Sequence, residues 1–363
     1  MKKLIIALTV LVGIGLGVGT ASAATAITSG AGNKVSQPPP GGTSGDIVVA
    51  WNQQLLQIVL TPGAQPATVH PTRSFAILHA AIYDSVVSIT KDASPYLFSV
   101  PASRGARVDA AAAQAGHDTL AALYPNLNSK LQAGLDQLLA GELAAIPDGA
   151  GKQDGIKVGH DVAARLLTAR ANDGSAATPP PFIAGNNPGD FRPVPPSFAP
   201  PVFTGWANVS PFVLDTANQF RPKPQAAITS VAYADALNEV KSLGQNTSTT
   251  RTADETVAAK FWAGPIWNTW NEIADNASLA HHTNLETTAR LFAVLNLTFA
   301  DGVIAFYDAK YHYLIWRPVT AVRLGDTIGN PAITGDPTWT PLATTPADPS
   351  YPGAHSVISS AGA

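Results

Sequence analysis

The chain has 363 residues, of which 45 % are hydrophobic and 13 % are charged, and its formal net charge is −3. This length and apolar share are sufficient for a large buried core and exclude an intrinsically disordered chain. The slightly acidic balance excludes a general nucleic-acid binder, which needs a basic surface. The sequence contains no cysteine, so disulfide frameworks and thiolate catalysis are excluded as well.

The first 23 residues have the pattern of a Sec-type signal peptide. Two lysines precede an apolar run over 4–18, and an Ala-x-Ala cleavage site ends at Ala23. We therefore predict a secreted or periplasmic protein with no membrane span after cleavage. Residues 24–44 are rich in Gly, Ser and Pro, which predicts a flexible N-terminal segment.

Apolar residues at helical spacing dominate the rest of the chain. We predict an N-terminal helical region over 45–171 and a C-terminal helical region over 226–363. Between them, residues 172–225 hold twelve of the thirty prolines and show no periodic pattern, which predicts a long irregular connection. The fold class is therefore mainly α, built from packed helix bundles. The predicted helices cover 46–60, 72–89, 107–124, 128–144, 152–171, 226–243, 251–263, 267–281 and 284–316.

The segment DAKYHYLIWRP, residues 308–318, carries two cations at a suggestive spacing. Lys310 and Arg317 are seven residues apart, which on a helix is within about 20° of two full turns and about 10 Å of rise. We therefore expect both side chains to project from one helix face and to converge on one small anion. Pro318 disfavours helical geometry at the residue before it, so the helix should end at Arg317.

The segment YPGAHS, residues 351–356, supplies complementary chemistry. Its Pro-Gly turn precedes a predicted helix, whose first backbone N–H groups can bind an anion. His355 at this helix start can exchange a proton near neutral pH, because the ordinary pKa of histidine is about 6.5. Two cations, backbone donors and one acid–base group together suit a tetrahedral or trigonal-bipyramidal oxyanion.

These two segments resemble the first two of three motifs shared by vanadium-dependent haloperoxidases and type 2 phosphatidic acid phosphatases. The segments 286–323 and 72–87 look closer to the haloperoxidase-like branch. The resemblance implies two helix bundles, vanadate as the cofactor, and hydrogen peroxide and halide as substrates. It also implies that Lys310 and Arg317 bind oxyanion oxygens, that Lys310 activates the substrate, and that His355 is the acid–base residue.

The sequence departs from this family pattern in two places. The family usually has Ser-Gly before the histidine, whereas this chain has Gly353-Ala354, so only backbone donors are expected there. Loss of one hydroxyl donor would weaken an oxyanion site by about 1–3 kcal/mol. The third motif, an arginine followed six positions later by the vanadium-bonding histidine, would lie beyond residue 363. We therefore expect a C-terminally truncated chain, with an incomplete last bundle, no metal ligand of its own and little turnover alone.

Two alternatives stay open at this stage. An exported acid phosphatase on the same scaffold would take a phosphate ester at the same motifs, because vanadate mimics pentacoordinate phosphate. A non-catalytic secreted helical protein would use Lys310 and Arg317 for packing or partner contacts. Surfaces rich in Ala and Leu are compatible with a homo-oligomer.

The remaining histidines carry weaker signals. His281 and His282 are adjacent on a predicted helix, a spacing that does not suit a shared ligand, so they are not expected to replace the missing histidine. For His79, together with Asp84, we expect a buried polar or packing role. His312 is two positions from Lys310 and is expected to face elsewhere.

Overall fold

The computed structural model describes residues 44–363, so the predicted signal peptide and most of the predicted flexible segment lie outside the described residues. Within this range the chain forms eleven α-helices, two short 3-10 helices and no β-strand, which confirms the mainly α prediction. The α-helices are α1 (Asp46–Leu60), α2 (Pro71–Thr90), α3 (Val108–Leu123), α4 (Ser129–Ala144), α5 (Ala150–Arg170), α6 (Val231–Gly244), α7 (Ala253–Trp262), α8 (Ile266–Ala280), α9 (Leu285–Tyr313), α10 (Pro318–Arg323) and α11 (Ala354–Gly362).

The main core forms around α9, which packs against α1, α2, α8 and α11. Trp51, Phe75, Phe292 and Phe299 are all fully buried in this core, so helices from both sides of the Pro-rich connection share one apolar cluster. By length and composition α9 is apolar enough to cross a membrane, but 67 % of its most apolar window is buried inside the protein. Its apolar character therefore matches that of a central core helix.

Small residues allow the Ala-rich helices to approach one another closely. In α5, a Cβ atom on Gly155 would lie 2.2 Å from the carbonyl oxygen of Arg107, and one on Gly159 would lie 2.3 Å from that of Ala111. A side chain at either glycine would push α5 away from α3. The close packing of α3 against α5 therefore depends on the absence of a side chain at Gly155 and Gly159.

Buried polar side chains hold several of these helices together. His79 on α2 is fully buried, and its Nε2 lies 3.0 Å from Oδ1 of Asn52. Nδ2 of Asn52 in turn donates to Oδ1 of Asp275 at 2.9 Å. Burial lowers the pKa of His79 to about 3, so the ring is neutral in the folded protein. Asp84 accepts hydrogen bonds from three successive backbone N–H groups, those of residues 96–98. The buried polar roles predicted for His79 and Asp84 are confirmed.

The Pro-rich connection 172–225 contains only one 3-10 turn and follows the surface of the core. Asp301 on α9 fixes it by accepting the backbone N–H groups of residues 212–214 at 2.6–2.8 Å. Farther upstream, the N–H of Phe191 donates to the carbonyl of Leu314 at 2.7 Å. The connection is therefore hydrogen-bonded along α9 up to the end of that helix.

Candidate functional site

The prediction that Lys310 and Arg317 share one helix face is wrong. Helix α9 ends at Tyr313, because Leu314 adopts the left-handed conformation with φ 52°. The following residues leave the helix and pair with the Pro-rich connection, where the N–H of Trp316 donates to the carbonyl of Gly189 at 2.9 Å. Arg317 itself is extended, with φ −78° and ψ 153°, and it immediately precedes α10. That extended geometry is what Pro318 was expected to impose.

The two cations nevertheless meet, and they do so on one carboxylate. Nζ of Lys310 lies 3.0 Å from Oδ2 of Asp348, while Nη2 of Arg317 donates to Oδ1 of the same side chain. Nε of Arg317 also donates to the backbone carbonyl of Asp348. Each cation therefore binds a different oxygen of one anionic group, although they reach it from a helix and from an extended segment.

The three charged groups are withdrawn from solvent. Their side chains are 1 % exposed for Lys310, 7 % for Asp348 and 14 % for Arg317. Burial lowers the pKa of Lys310 to about 8, and the nearby carboxylate opposes that decrease. Burial also raises the pKa of the phenols of Tyr307 and Tyr311, and the charge of Asp348 adds to both shifts. Two neutral phenols thus lie close to the ion triad.

Lys310 also fixes the chain that leads into α11. Its ammonium group donates to the backbone carbonyl of Pro349 and lies 3.5 Å from that of Ser350. The N–H of Ser350 donates to the carbonyl of Ile315 at 2.9 Å, which ties the same segment to the chain between the two cations. The motif containing His355 is therefore anchored directly to the motif containing Lys310 and Arg317.

His355 is exposed and lies on the first turn of α11. Its Nε2 is 3.3 Å from the carbonyl oxygen of Gly264, in the loop between α7 and α8. Since a carbonyl only accepts, Nε2 carries the proton in this contact and Nδ1 can act as a base. Among residues 44–363, no hydrogen bond joins His355 to Lys310 or Arg317. The structure thus brings the two cations together. His355 is linked to them only through the segment that precedes α11, which hydrogen-bonds to Lys310 and Ile315.

Gly353 and Ala354 form the start of α11, as the sequence predicted for the helix mouth. Gly353 precedes the helix with φ −70° and ψ 116° and supplies no side-chain cap. A Cβ atom there would meet only Oγ of Ser356, at 3.5 Å, and its Cβ, at 4.0 Å, which are ordinary van der Waals contacts. The backbone thus has room for the serine that the family pattern places at this position.

A cleft of about 300 Å³ lies beside Arg317. Its walls are mostly apolar and come from α6, the start of α10 and the loop 339–346, with Arg251 as a second cationic residue. Trp316, by contrast, is buried and donates its indole N–H to Tyr233 at 2.7 Å, so it serves packing.

Asp348 is the site residue that sequence reasoning missed. It is 38 positions after Lys310 and lies in an irregular segment, so no helical or strand periodicity connects it to either cation. The only sequence signal was an acidic residue immediately before the Pro349-to-His355 motif. His281, His282 and His312 are exposed, and none of them contacts the triad among the described residues.

Comparison with known proteins places these observations in a family context. Residues 290–363 match a family model described as VCPO second helical-bundle domain. The structure is similar to that of the first bacterial vanadium-dependent iodoperoxidase, with a TM-score of 0.74 and 22 % identity over 88 % of this chain and 80 % of that chain. A holo-type bacterial vanadium-dependent chloroperoxidase gives a TM-score of 0.60 and 17 % identity over 89 % of this chain and 81 % of that one. The apo-type bacterial vanadium-dependent chloroperoxidase gives a TM-score of 0.60 and 16 % identity over 84 % of this chain and 78 % of that one. No curated protein matches the sequence.

Proposed function

We propose that this chain, which has the all-α fold of the vanadium haloperoxidase superfamily, is an exported haloperoxidase-like protein that oxidises halide with hydrogen peroxide at a vanadate site. The observation that carries the proposal is the convergence of Lys310 and Arg317 on two oxygens of one anion, Asp348. This anion lies at the start of the segment that leads into the helix bearing His355.

The donor set of this site fits an oxyanion. The carboxylate of Asp348 stands in for two oxygens of such a group, and the cations bind those oxygens separately. A guanidinium and an ammonium are the side chains proteins use for charge-assisted binding of oxyanions. Vanadate, when bound, supplies the activation of peroxide that makes it susceptible to attack by halide.

Each residue of the proposed site then has a defined role. Lys310 and Arg317 bind oxygens and offset negative charge, and the backbone N–H groups after Gly353 and Ala354 add neutral donors at the start of α11. His355 moves a proton at Nδ1, while the carbonyl of Gly264 holds its other ring nitrogen. The buried position of Lys310 strengthens its electrostatic effect, because the local dielectric is lower than that of water.

Among residues 44–363, no histidine forms a hydrogen bond or ion pair with Lys310, Asp348 or Arg317, so we expect these residues by themselves to support little turnover. Hydrogen peroxide and halide are the proposed substrates. Export rests on the signal pattern of residues 1–23 and is tested by sequencing the mature N-terminus, which should begin at Ala24.

The decisive experiment compares two activities of the protein made from the full reading frame, with and without vanadate. Iodide and bromide oxidation by peroxide should require vanadate. Arg317→Gln should abolish this vanadate-dependent oxidation. Arg221→Gln is a matched control, because Arg221 binds Asp308 of α9, the helix that carries Lys310, through two guanidinium nitrogens. It should leave halide oxidation unchanged.

Other outcomes favour the alternatives. Hydrolysis of p-nitrophenyl phosphate that vanadate inhibits would indicate an acid phosphatase. If neither activity appears at any vanadate concentration, the haloperoxidase proposal is refuted and a non-catalytic helical protein is left. The same preparations, passed through a sizing column with light scattering, decide whether the chain forms a homo-oligomer.

A further inference from the structure

The hydrogen-bonding capacity of Lys310 is fully used within the protein. An ammonium group has three N–H donors and no acceptor. In this structure Nζ contacts three acceptors: Oδ2 of Asp348 at 3.0 Å, the carbonyl of Pro349, and the carbonyl of Ser350 at 3.5 Å. No donor of Lys310 is left to bind an incoming oxyanion while these contacts persist.

Arg317 is committed to the same residue, Asp348, at two of its nitrogens. Nη2 donates to the carboxylate of Asp348 and Nε to its backbone carbonyl, whereas Nη1 forms no hydrogen bond within residues 44–363. Arg317 is also the member of the triad that lines the 300 Å³ cleft. Arg317 is therefore the member of the triad that an anion in this cleft meets first, and Nη1 is the nitrogen not engaged by Asp348.

The charge of the triad depends on Asp348. With the carboxylate ionised, two positive charges and one negative charge leave a net charge of +1. A carboxylate that binds both cations through separate oxygens has the same contacts that an oxyanion needs. An oxyanion and the Asp348 side chain consequently compete for the same donors, and like charge adds to the competition.

We propose that Asp348 is a positioning residue that acts as an internal counter-ion: it holds Lys310 and Arg317 together in the absence of ligand and must release them when an oxyanion of the phosphate or vanadate class binds. This inference rests on the proposed function, since it concerns the same oxyanion site. Asp348 thereby limits the affinity of the site and restricts it to anions that bind both cations more strongly than a carboxylate does.

The test compares inorganic phosphate binding by the wild-type protein and by Asp348→Asn, using titration calorimetry at constant pH and ionic strength. Asparagine retains the shape and one acceptor but removes the charge. We expect phosphate to bind about tenfold more tightly to the variant, as removal of one like charge at close range in a partly buried site predicts. Asp308→Asn is the control. It removes a carboxylate of α9 that binds Arg221 and not the triad, so it should leave phosphate affinity unchanged.

Unfolding experiments supply a second readout. Without phosphate, Asp348→Asn should be less stable than wild type, because buried Lys310 loses its counter-ion. Added phosphate should raise the midpoint of unfolding more for the variant than for wild type. A variant that folds only when phosphate or vanadate is present supports the proposal for the same reason.

The failures are distinguishable. If wild type binds phosphate and folded Asp348→Asn binds it equally or more weakly, the competition is refuted while the oxyanion site stands. If the variant does not fold and neither phosphate nor vanadate rescues it, Asp348 is a structural residue that no oxyanion replaces, and the proposal is refuted. If neither protein binds phosphate, the oxyanion site itself fails, and the proposed function fails with it.

Discussion

Replacing Gly353 by serine tests whether the start of α11 is an anion-binding site. The backbone at this position has φ −70° and ψ 116°, which any residue adopts, and a Cβ atom would make only ordinary contacts with Ser356. A serine in the capping position can accept the N–H of Ser356 and still donate its hydroxyl proton to a ligand. Gly353→Ser should therefore fit without displacing the helix.

The magnitudes follow from these two hydrogen bonds. A serine cap exceeds a glycine cap by a few tenths of a kcal/mol, so the free energy of unfolding should rise by about 0.5 kcal/mol. One additional donor to an oxyanion contributes about 1 kcal/mol net, which corresponds to about fivefold tighter phosphate binding. Urea denaturation measures the first effect and titration calorimetry the second.

A matched variant separates a local effect from a general one. Gly141→Ser lies on α4, where a Cβ atom meets nothing within 4 Å, and it should leave phosphate affinity unchanged. If Gly353→Ser loses more than about 1 kcal/mol of stability, the backbone geometry described for the helix start is wrong. If it is stable but binds phosphate no more tightly, the N–H groups of α11 do not face the ligand.

Three further predictions concern buried and paired charges. Asp301→Asn should lower the free energy of unfolding by about 2–3 kcal/mol in urea denaturation, because an amide nitrogen replaces one carboxylate oxygen. Either the N–H of Phe212, or those of Val213 and Leu214, then lose their acceptor. Burial raises the pKa of Glu142 to about 8, so its stabilising contribution is complete below the ordinary value of 4.5 and is lost as the pH rises to 8. Glu142→Gln should flatten that pH dependence, and its free energy of unfolding should exceed that of wild type by about 1–3 kcal/mol at pH 8. An unchanged pH profile of the free energy of unfolding would contradict this prediction. Hydrogen bonding to Asp118 raises the pKa of His117, so its contribution is present below 6.5 and is lost as the pH rises through the elevated value. His117→Asn should remove that decline in unfolding curves recorded from pH 6 upward, and a decline that persists would assign it to another group.

The sequence alone determined most of the helices. Periodicity gave α1 its observed bounds of Asp46–Leu60 and placed α8 within one residue at each end. In α8 it succeeded because the buried residues, such as Asn271, Ala274 and Ser278, share one face, which leaves a 3.6-residue pattern in the sequence. Helix α1 buries six successive residues, Ile47–Asn52, so it is buried on more than one face. The sequence also nominated Lys310, Arg317 and His355 as candidate site residues, from their residue types, the neighbouring prolines and the family resemblance.

Only the tertiary structure decided how these residues meet. The predicted helix 284–316 ends at Tyr313, because the backbone after Leu314 pairs with residues near Gly189, more than a hundred positions away. Sequence periodicity cannot predict such a contact, because the contact depends on where the Pro-rich connection passes the end of α9. The same holds for Asp348, which reaches both cations from an irregular loop. Local sequence specifies which groups carry charge, but long-range backbone pairing specifies which of those charges share one site.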